Sequence, residues 1–142
     1  MIDNSIILPI LIHLFAAVIQ LSFWGKTVIQ QVLSVVACSI GLAFSISLFS
    51  RVFSGEILTM NAADWEAPFG IVFVADLFST TLVLLTSIAA LAVSIFSING
   101  VGRARMLYGY LPIFHFLIMG LDGAFLTGDI FNLYVWLQVI II

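Results

Sequence analysis

Long apolar runs separated by short polar interruptions set the pattern of this chain. The apolar runs cover residues 6–23, 28–49, 77–98 and 108–125, and a further one occupies 130–142. Each of the first four approaches the ~20 residues that a helix needs to cross the hydrocarbon layer. Their ends carry fitting signals. Trp24-Gly25-Lys26 closes the first with an aromatic, a breaker and a charge, Ser50-Arg51 follows the second, and Asn99-Gly100 stops the third. Pro112 falls in the first turns of the fourth, where proline is tolerated. The last run would extend about 20 Å, short of the ~30 Å hydrocarbon core. A carboxylate following Ile142 would then lie at membrane depth at a large desolvation cost, so a fifth helix cut short is expected.

Between the second and third runs the period changes. Ile57-Leu58-Thr59-Met60 and Ile71-Val72-Phe73-Val74 are short and β-prone, and they flank the turn-rich Asn61-Ala62-Ala63-Asp64-Trp65-Glu66-Ala67-Pro68-Phe69-Gly70. This predicts a β-hairpin over about 57–74. An open two-stranded edge cannot satisfy its backbone groups in lipid, so the hairpin belongs outside the hydrocarbon. The expected fold is an all-α integral membrane protein. Four complete transmembrane helices and a truncated fifth form a single membrane region over 1–142, with an extracytoplasmic hairpin between helices two and three.

Composition agrees. Hydrophobic residues make up 63% of the 142 and charged residues 8%, against about a quarter charged in a soluble domain. Lipid is therefore an expected partner, whereas the four scattered basic residues exclude the clustered patch that nucleic acid requires. The amino terminus has no basic stretch before its apolar run, so a cleaved leader is not expected and the first run stays as an anchor. Alternating loops put Lys26, Arg103 and Arg105 on one side and Asp3, Arg51, Glu56, Asp64, Glu66, Asp76 and Asp129 on the other. The positive-inside rule makes the first side cytoplasmic. The expected location is a plasma (inner) membrane, multi-pass, with the amino terminus extracytoplasmic.

Polar residues inside the runs carry the candidate chemistry, because ionisable groups are costly there. His13 reads as a hydrogen-bonding contact in the first helix. His115 and Asp122 are two helical turns apart and share a face, where an imidazole and an acid can exchange protons. The glycines Gly120 and Gly123 beside Asp122 also leave room for its carboxylate to reach a backbone group. Asp76 and Asp129 stand where helix N-caps belong. Ala37, Gly41, Ser45 and Thr86, Ala90, Ser94 repeat at four-residue spacing and predict close helix packing, while Phe44, Phe49 and Phe96 read as lipid-facing or packing residues. Cys38 is the single cysteine and reads as a buried structural thiol; no Cys/His spacing matches a metal site, so neither metal nor cofactor is expected.

Two motifs bring a resemblance. Trp65-Glu66-Ala67-Pro68-Phe69-Gly70-Ile71 followed by Asp76 resembles the W-x-A-P-F-G-I…D hairpin of proton-translocating antiporter-like subunits. Gly123-Ala124-Phe125-Leu126-Thr127-Gly128-Asp129-Ile130-Phe131-Asn132-Leu133-Tyr134-Val135-Trp136 resembles the signature of the D subunit of the multisubunit monovalent cation/proton (Na+/H+) antiporters. Related subunits occur in membrane hydrogenases and NADH:quinone oxidoreductase. The resemblance spans this chain but only the first part of a family member. It implies inverted repeats with ion sites at broken helices, which lie beyond this segment. It also implies a partial transporter subunit that handles protons and monovalent cations among other subunits, any redox catalysis residing in those partners. Membership of a hydrogenase or dehydrogenase membrane arm, or a non-transporting structural piece, are the rival expectations. The family's V-W-F-E pattern places an acid in the fifth helix that pairs with a later lysine. Here the pattern is Val135-Trp136-Leu137-Gln138, and the amide cannot bind and release a proton. The proton-pathway candidates are thus Gln138, Asp122, His115 and His13.

Overall fold

The computed structural model describes residues 4–62 and 70–141. The 65–69 part of the first motif, the acids Asp3, Asp64 and Glu66, and Ile142 lie outside the described residues. A 3₁₀ turn over Asn4–Ile7 leads into α1 (Leu8–Ser22), followed by α2 (Thr27–Phe53). The strands β1 (Leu58–Asn61) and β2 (Val72–Ala75) precede α3 (Leu77–Gly100), α4 (Arg103–Leu107), α5 (Tyr110–Leu126) and α6 (Ile130–Ile141). The 3₁₀ turn with α1, then α2 and α3, are the segments long and apolar enough to cross a membrane, while α5 at 17 residues and α6 at 12 are shorter. The fourth expected run, over 108–125, is occupied by α5, which begins at Tyr110 and ends at Leu126.

Local chemistry accounts for these ends. Gly109 adopts a φ of +86°, a left-handed conformation that separates α4 from α5. A Cβ there would also stand 2.9 Å from the Trp24 ring. α2 continues a turn past the expected stop at residue 49, because Arg51 in its last turn favours the C-terminal end of the helix dipole. That guanidinium is held by the Ser5 hydroxyl at 3.1 Å and by Glu56 at 3.6 Å. α3 begins with a full capping box: Asp76 Oδ1 accepts from the Ser79 N–H at 2.7 Å, and Ser79 Oγ accepts from the Asp76 N–H at 2.9 Å. At α6 the Asp129 carboxylate accepts from the Phe131 N–H at 3.0 Å. Both acids are caps, as their positions predict.

The strands pair antiparallel, with Leu58 opposite Ala75 and Asn61 opposite Val72. The hairpin then docks on the α5–α6 turn, where the Gly128 N–H donates to the Val72 carbonyl at 2.8 Å and Phe73 bridges to Thr127. Leu58, Phe73 and Ala75 join Ile6, Ile10, Leu48, Val52, Val83, Met119 and Leu126 in one apolar core. That core closes the end of the bundle where α1 and α3 start and α2 and α5 finish.

Side by side, α2 packs on α3, α1 on α2 and α5, α3 on α5, and α6 on α5. The large apolar side chains outside the core face outward all along the helices: Phe15, Val32, Leu85, Ile95, Phe96, Ile113 and Phe131 are all exposed. Such a bundle is apolar outside and partly polar within, the arrangement that lipid rather than water as solvent selects. Phe96 is exposed as expected, and Phe49 stacks on Phe53 with ring centroids 5.8 Å apart.

Candidate functional site

The inward stripe of each helix recurs at three- and four-residue steps, and much of it is polar. On α1 it carries His13 and Gln20; on α2, Gln30, Ser34, Cys38, Gly41 and Ser45. On α3 it carries Ser79, Thr80, Ser87, Ala90, Ser94 and Ser97, and on α5 His115, Asp122 and Gly123. These residues meet along a seam down the bundle interior. Small side chains let the helices approach, and their hydroxyls then find one another: Ser45 and Ser87 lie 2.7 Å apart, Ser34 and Ser94 2.8 Å apart. Gly41, Ser45, Ala90 and Ser94 lie on this seam as the spacing predicts, whereas Ala37 and Thr86 are half-buried at its margin.

The histidines form its centre. His13 Nδ1 and His115 Nδ1 are 2.9 Å apart, and the rings stack with centroids 5.2 Å apart. His115 Nε2 lies 3.0 Å from Ser34 Oγ. Ser94, Ser34, His115 and His13 thus form one hydrogen-bonded line through α3, α2, α5 and α1. A neutral imidazole has one N–H and one acceptor nitrogen, so His115 either donates to His13 while accepting from Ser34, or the reverse. The line has two directions, and a proton entering at one end reverses it. His13 fits because Gly41 faces it: a Cβ at Gly41 would stand 3.0 Å from His13 Nε2.

His13 is therefore a hydrogen-bonding contact, as expected, but its partner is His115. His115 and Asp122 both point inward, each 0% exposed. Neither carboxylate oxygen of Asp122 has a hydrogen-bond partner among the described residues, so the adjacent glycines do not serve a backbone contact for it. Gly123 instead lies against the Trp136 ring and Gly120 against Ile140, which lets α6 close on α5. Gln138 sits apart, exposed on α6. Cys38 is buried as expected, yet its sulfur and a nitrogen of each histidine all lie within 4.8 Å of one another. Sequence spacing could not find that cluster or the two serines of the line, because its members are spread over separate helices. The recoverable signal was the inward stripe of polar residues on every long helix.

The second motif has a structural meaning as well. Thr127 Oγ1 accepts from Asn132 Nδ2 at 2.9 Å, Gly128 leaves space for Val74, and Trp136 fills the surface opened by Gly123 and faces Phe73. The motif is the joint that fastens α5, α6 and the hairpin together.

Fold, apolar exterior and relatives define a multi-pass membrane protein. No protein-family model matches the chain. It is 39% identical over 140 residues to the D subunit of the Na(+)/H(+) antiporter of Bacillus subtilis (strain 168), a match covering 99% of this chain and 28% of the relative. The corresponding D subunit of Alkalihalophilus pseudofirmus matches with the same identity and coverage. A putative antiporter subunit mnhD2 of Staphylococcus epidermidis (strain ATCC 12228 / FDA PCI 1200) is 34% identical over 145 residues, covering 100% of this chain and 28% of the relative. In fold the chain is similar to a chain in the Mrp complex from Dietzia sp. DQ12-45-1b, with TM-score 0.88 and 24% identity over 97% of this chain and 26% of that one. A chain of the membrane-bound sulfane sulfur reductase, an archaeal respiratory membrane complex, gives TM-score 0.80 at 23% identity over 96% of this chain and 27% of that one. Nearly the whole chain is thus similar to a stretch of these antiporter D subunits. It spans about 28% of the length of the curated relatives it matches.

Proposed function

We propose that this chain supplies the amino-terminal helices of a subunit in a monovalent cation/proton antiporter complex of a plasma membrane, working with the other subunits of that complex. The observation that carries the reading is 39% identity to antiporter D subunits over 99% of the chain. In this reading α1, α2, α3 and α5 cross the membrane in alternating directions, and α6 is the start of a further crossing. The hairpin and the amino terminus face outward, and Lys26, Arg103 and Arg105 face the cytoplasm, in keeping with the positive-inside rule.

Within the segment, His13 and His115 relay protons. An added proton makes both nitrogens of one imidazole donors, which breaks the Nδ1–Nδ1 bond or reverses the line through Ser34. Asp122, buried without a hydrogen-bond partner among the described residues on the same stripe of α5, is the second exchanging group. Gln138 holds the position of the family's acid without its charge, so coupling through α6 is weak in this protein. The test is cation-dependent proton flux in membrane vesicles carrying the full-length protein in its complex. Collapse of an imposed proton gradient on adding sodium or potassium is expected, and Gln138→Glu is expected to raise the rate. A gradient indifferent to either cation overturns the reading, and an unchanged rate in the glutamate variant overturns the role assigned to Gln138.

A further inference from the structure

We infer that His13, Cys38 and His115 form a binding site for a soft monovalent metal ion, of the copper(I) or silver(I) class, inside the bundle. The three side chains come from α1, α2 and α5 and are 1%, 1% and 0% exposed. Their donor atoms lie within 4.8 Å of one another, and the two Nδ1 atoms are 2.9 Å apart. In a three-coordinate site with bonds of about 2.0–2.3 Å, donors stand about 3.5–4 Å apart. The cluster therefore needs shifts of about an ångström or less, within the reach of side-chain rotation. Ser34 is hydrogen-bonded to His115 Nε2, the outer-shell contact that fixes a ligating ring and leaves its Nδ1 free to bind.

The class of ion follows from charge and softness. One thiolate and two neutral imidazoles bring a single negative charge. A monovalent ion makes the site neutral, whereas a divalent ion would leave a net charge in a bundle surrounded by hydrocarbon. Thiolate is the soft donor that favours copper(I), and imidazole suits copper as well. On binding, the Cys38 S–H bond breaks and its proton leaves to solvent, one S–metal and two N–metal bonds form, and the bond between the histidines is lost. No electron is transferred. The inference does not depend on proton transport, since its readout is binding.

The experiment uses the full-length protein in mild detergent without oxygen, titrated with copper(I) against a chromophoric copper(I) chelator. Wild type is expected to bind one more equivalent than Cys38→Ala, and His13→Gln and His115→Gln to weaken that equivalent at least tenfold. Alanine keeps a small apolar side chain at position 38, so that variant retains the fold. Copper X-ray absorption of the wild type provides a reading free of any variant, with one sulfur and two imidazole nitrogens expected around the metal. Equal stoichiometry in wild type and Cys38→Ala, a spectrum without sulfur, or tighter retention of zinc(II) than of copper(I) each overturns the inference.

Discussion

The α2–α3 interface and the inner face of α5 are both buried and both polar, but their polar groups are treated differently. Between α2 and α3 the hydroxyls pair across the gap, Ser34 with Ser94 and Ser45 with Ser87. On α5, Asp122 presents two oxygens without a partner among the described residues. Hydroxyl pairs tie helices at little desolvation cost, and such contacts average about 0.6 kcal/mol in membranes. A carboxyl group taken from water without hydrogen bonds costs more, even when it holds its proton. The first region is explained by assembly alone. The second is not explained by contacts among the described residues, and the proton exchange proposed above for Asp122 would account for it.

Substitutions on α5 should expose this difference most strongly. The largest loss is expected from Gly123→Ala, whose new Cβ would enter the Trp136 ring. Parting α5 from α6 should cost about 3 kcal/mol, the upper range for overfilling a packed interior. Denaturation in mixed micelles measures it, and a change below about 1 kcal/mol would mean that Trp136 moves aside freely. One residue away the sign should reverse. Asp122→Leu removes a buried carboxyl group that has no partner among the described residues, and should stabilise the protein by about 2 kcal/mol, as apolar replacement of buried ionisable groups often does. Cation-dependent proton flux of the full-length protein should fall at least tenfold in the same variant. Earlier unfolding of Asp122→Leu would show that the carboxylate has a structural partner, and the contrast between the two regions would fail. On α2, Gly41→Ala should cost about 1 kcal/mol, because a Cβ placed 3.0 Å from His13 Nε2 displaces a ring rather than an adjoining helix.

The fold is legible wherever period and punctuation agree. The long helices, the hairpin strands and the caps at Asp76 and Asp129 follow from apolar runs, β-prone tetrads and residues whose side chains reach the next N–H groups. The ends of α2 and α5 are less legible. Arg51 reads as a stop although a helix C-terminus favours it, and a left-handed glycine at 109 delays α5. The site is legible by residue and not by partnership. His13, His115 and Asp122 stand out as polar positions in apolar runs, but pairing His13 with His115 across 102 positions is a product of helix order that local spacing cannot encode. The small-residue repeats predict close packing of the second and third long helices without naming their partners, and they capture only part of the seam. The seam on α2 runs through Ser34 and Cys38 as well as Gly41 and Ser45, and only the last two belong to the repeat.

The finest test concerns the two serine pairs, whose surroundings differ. Ser45 Oγ also reaches the Gly41 carbonyl at 2.9 Å, and Ser87 Oγ the Val83 carbonyl at 2.9 Å. If either serine becomes alanine, the other hydroxyl still has a carbonyl of its own helix. The coupling between them, from a double-alanine cycle, should therefore be about 0.5 kcal/mol, near the membrane average. Ser34 is placed differently, with its hydroxyl between Ser94 Oγ and His115 Nε2. Removing Ser94 reorients that hydroxyl and through it the histidine pair, so the coupling between Ser34 and Ser94 should reach about 1.5 kcal/mol, near the largest such values in membranes. Equal couplings for the two pairs would mean that Ser34 belongs with the passive α2–α3 contacts and that the histidine line ends at His115. A larger coupling for Ser34 with Ser94 that disappears in a His115→Leu background would carry the line across to α3, joining the two regions that otherwise differ.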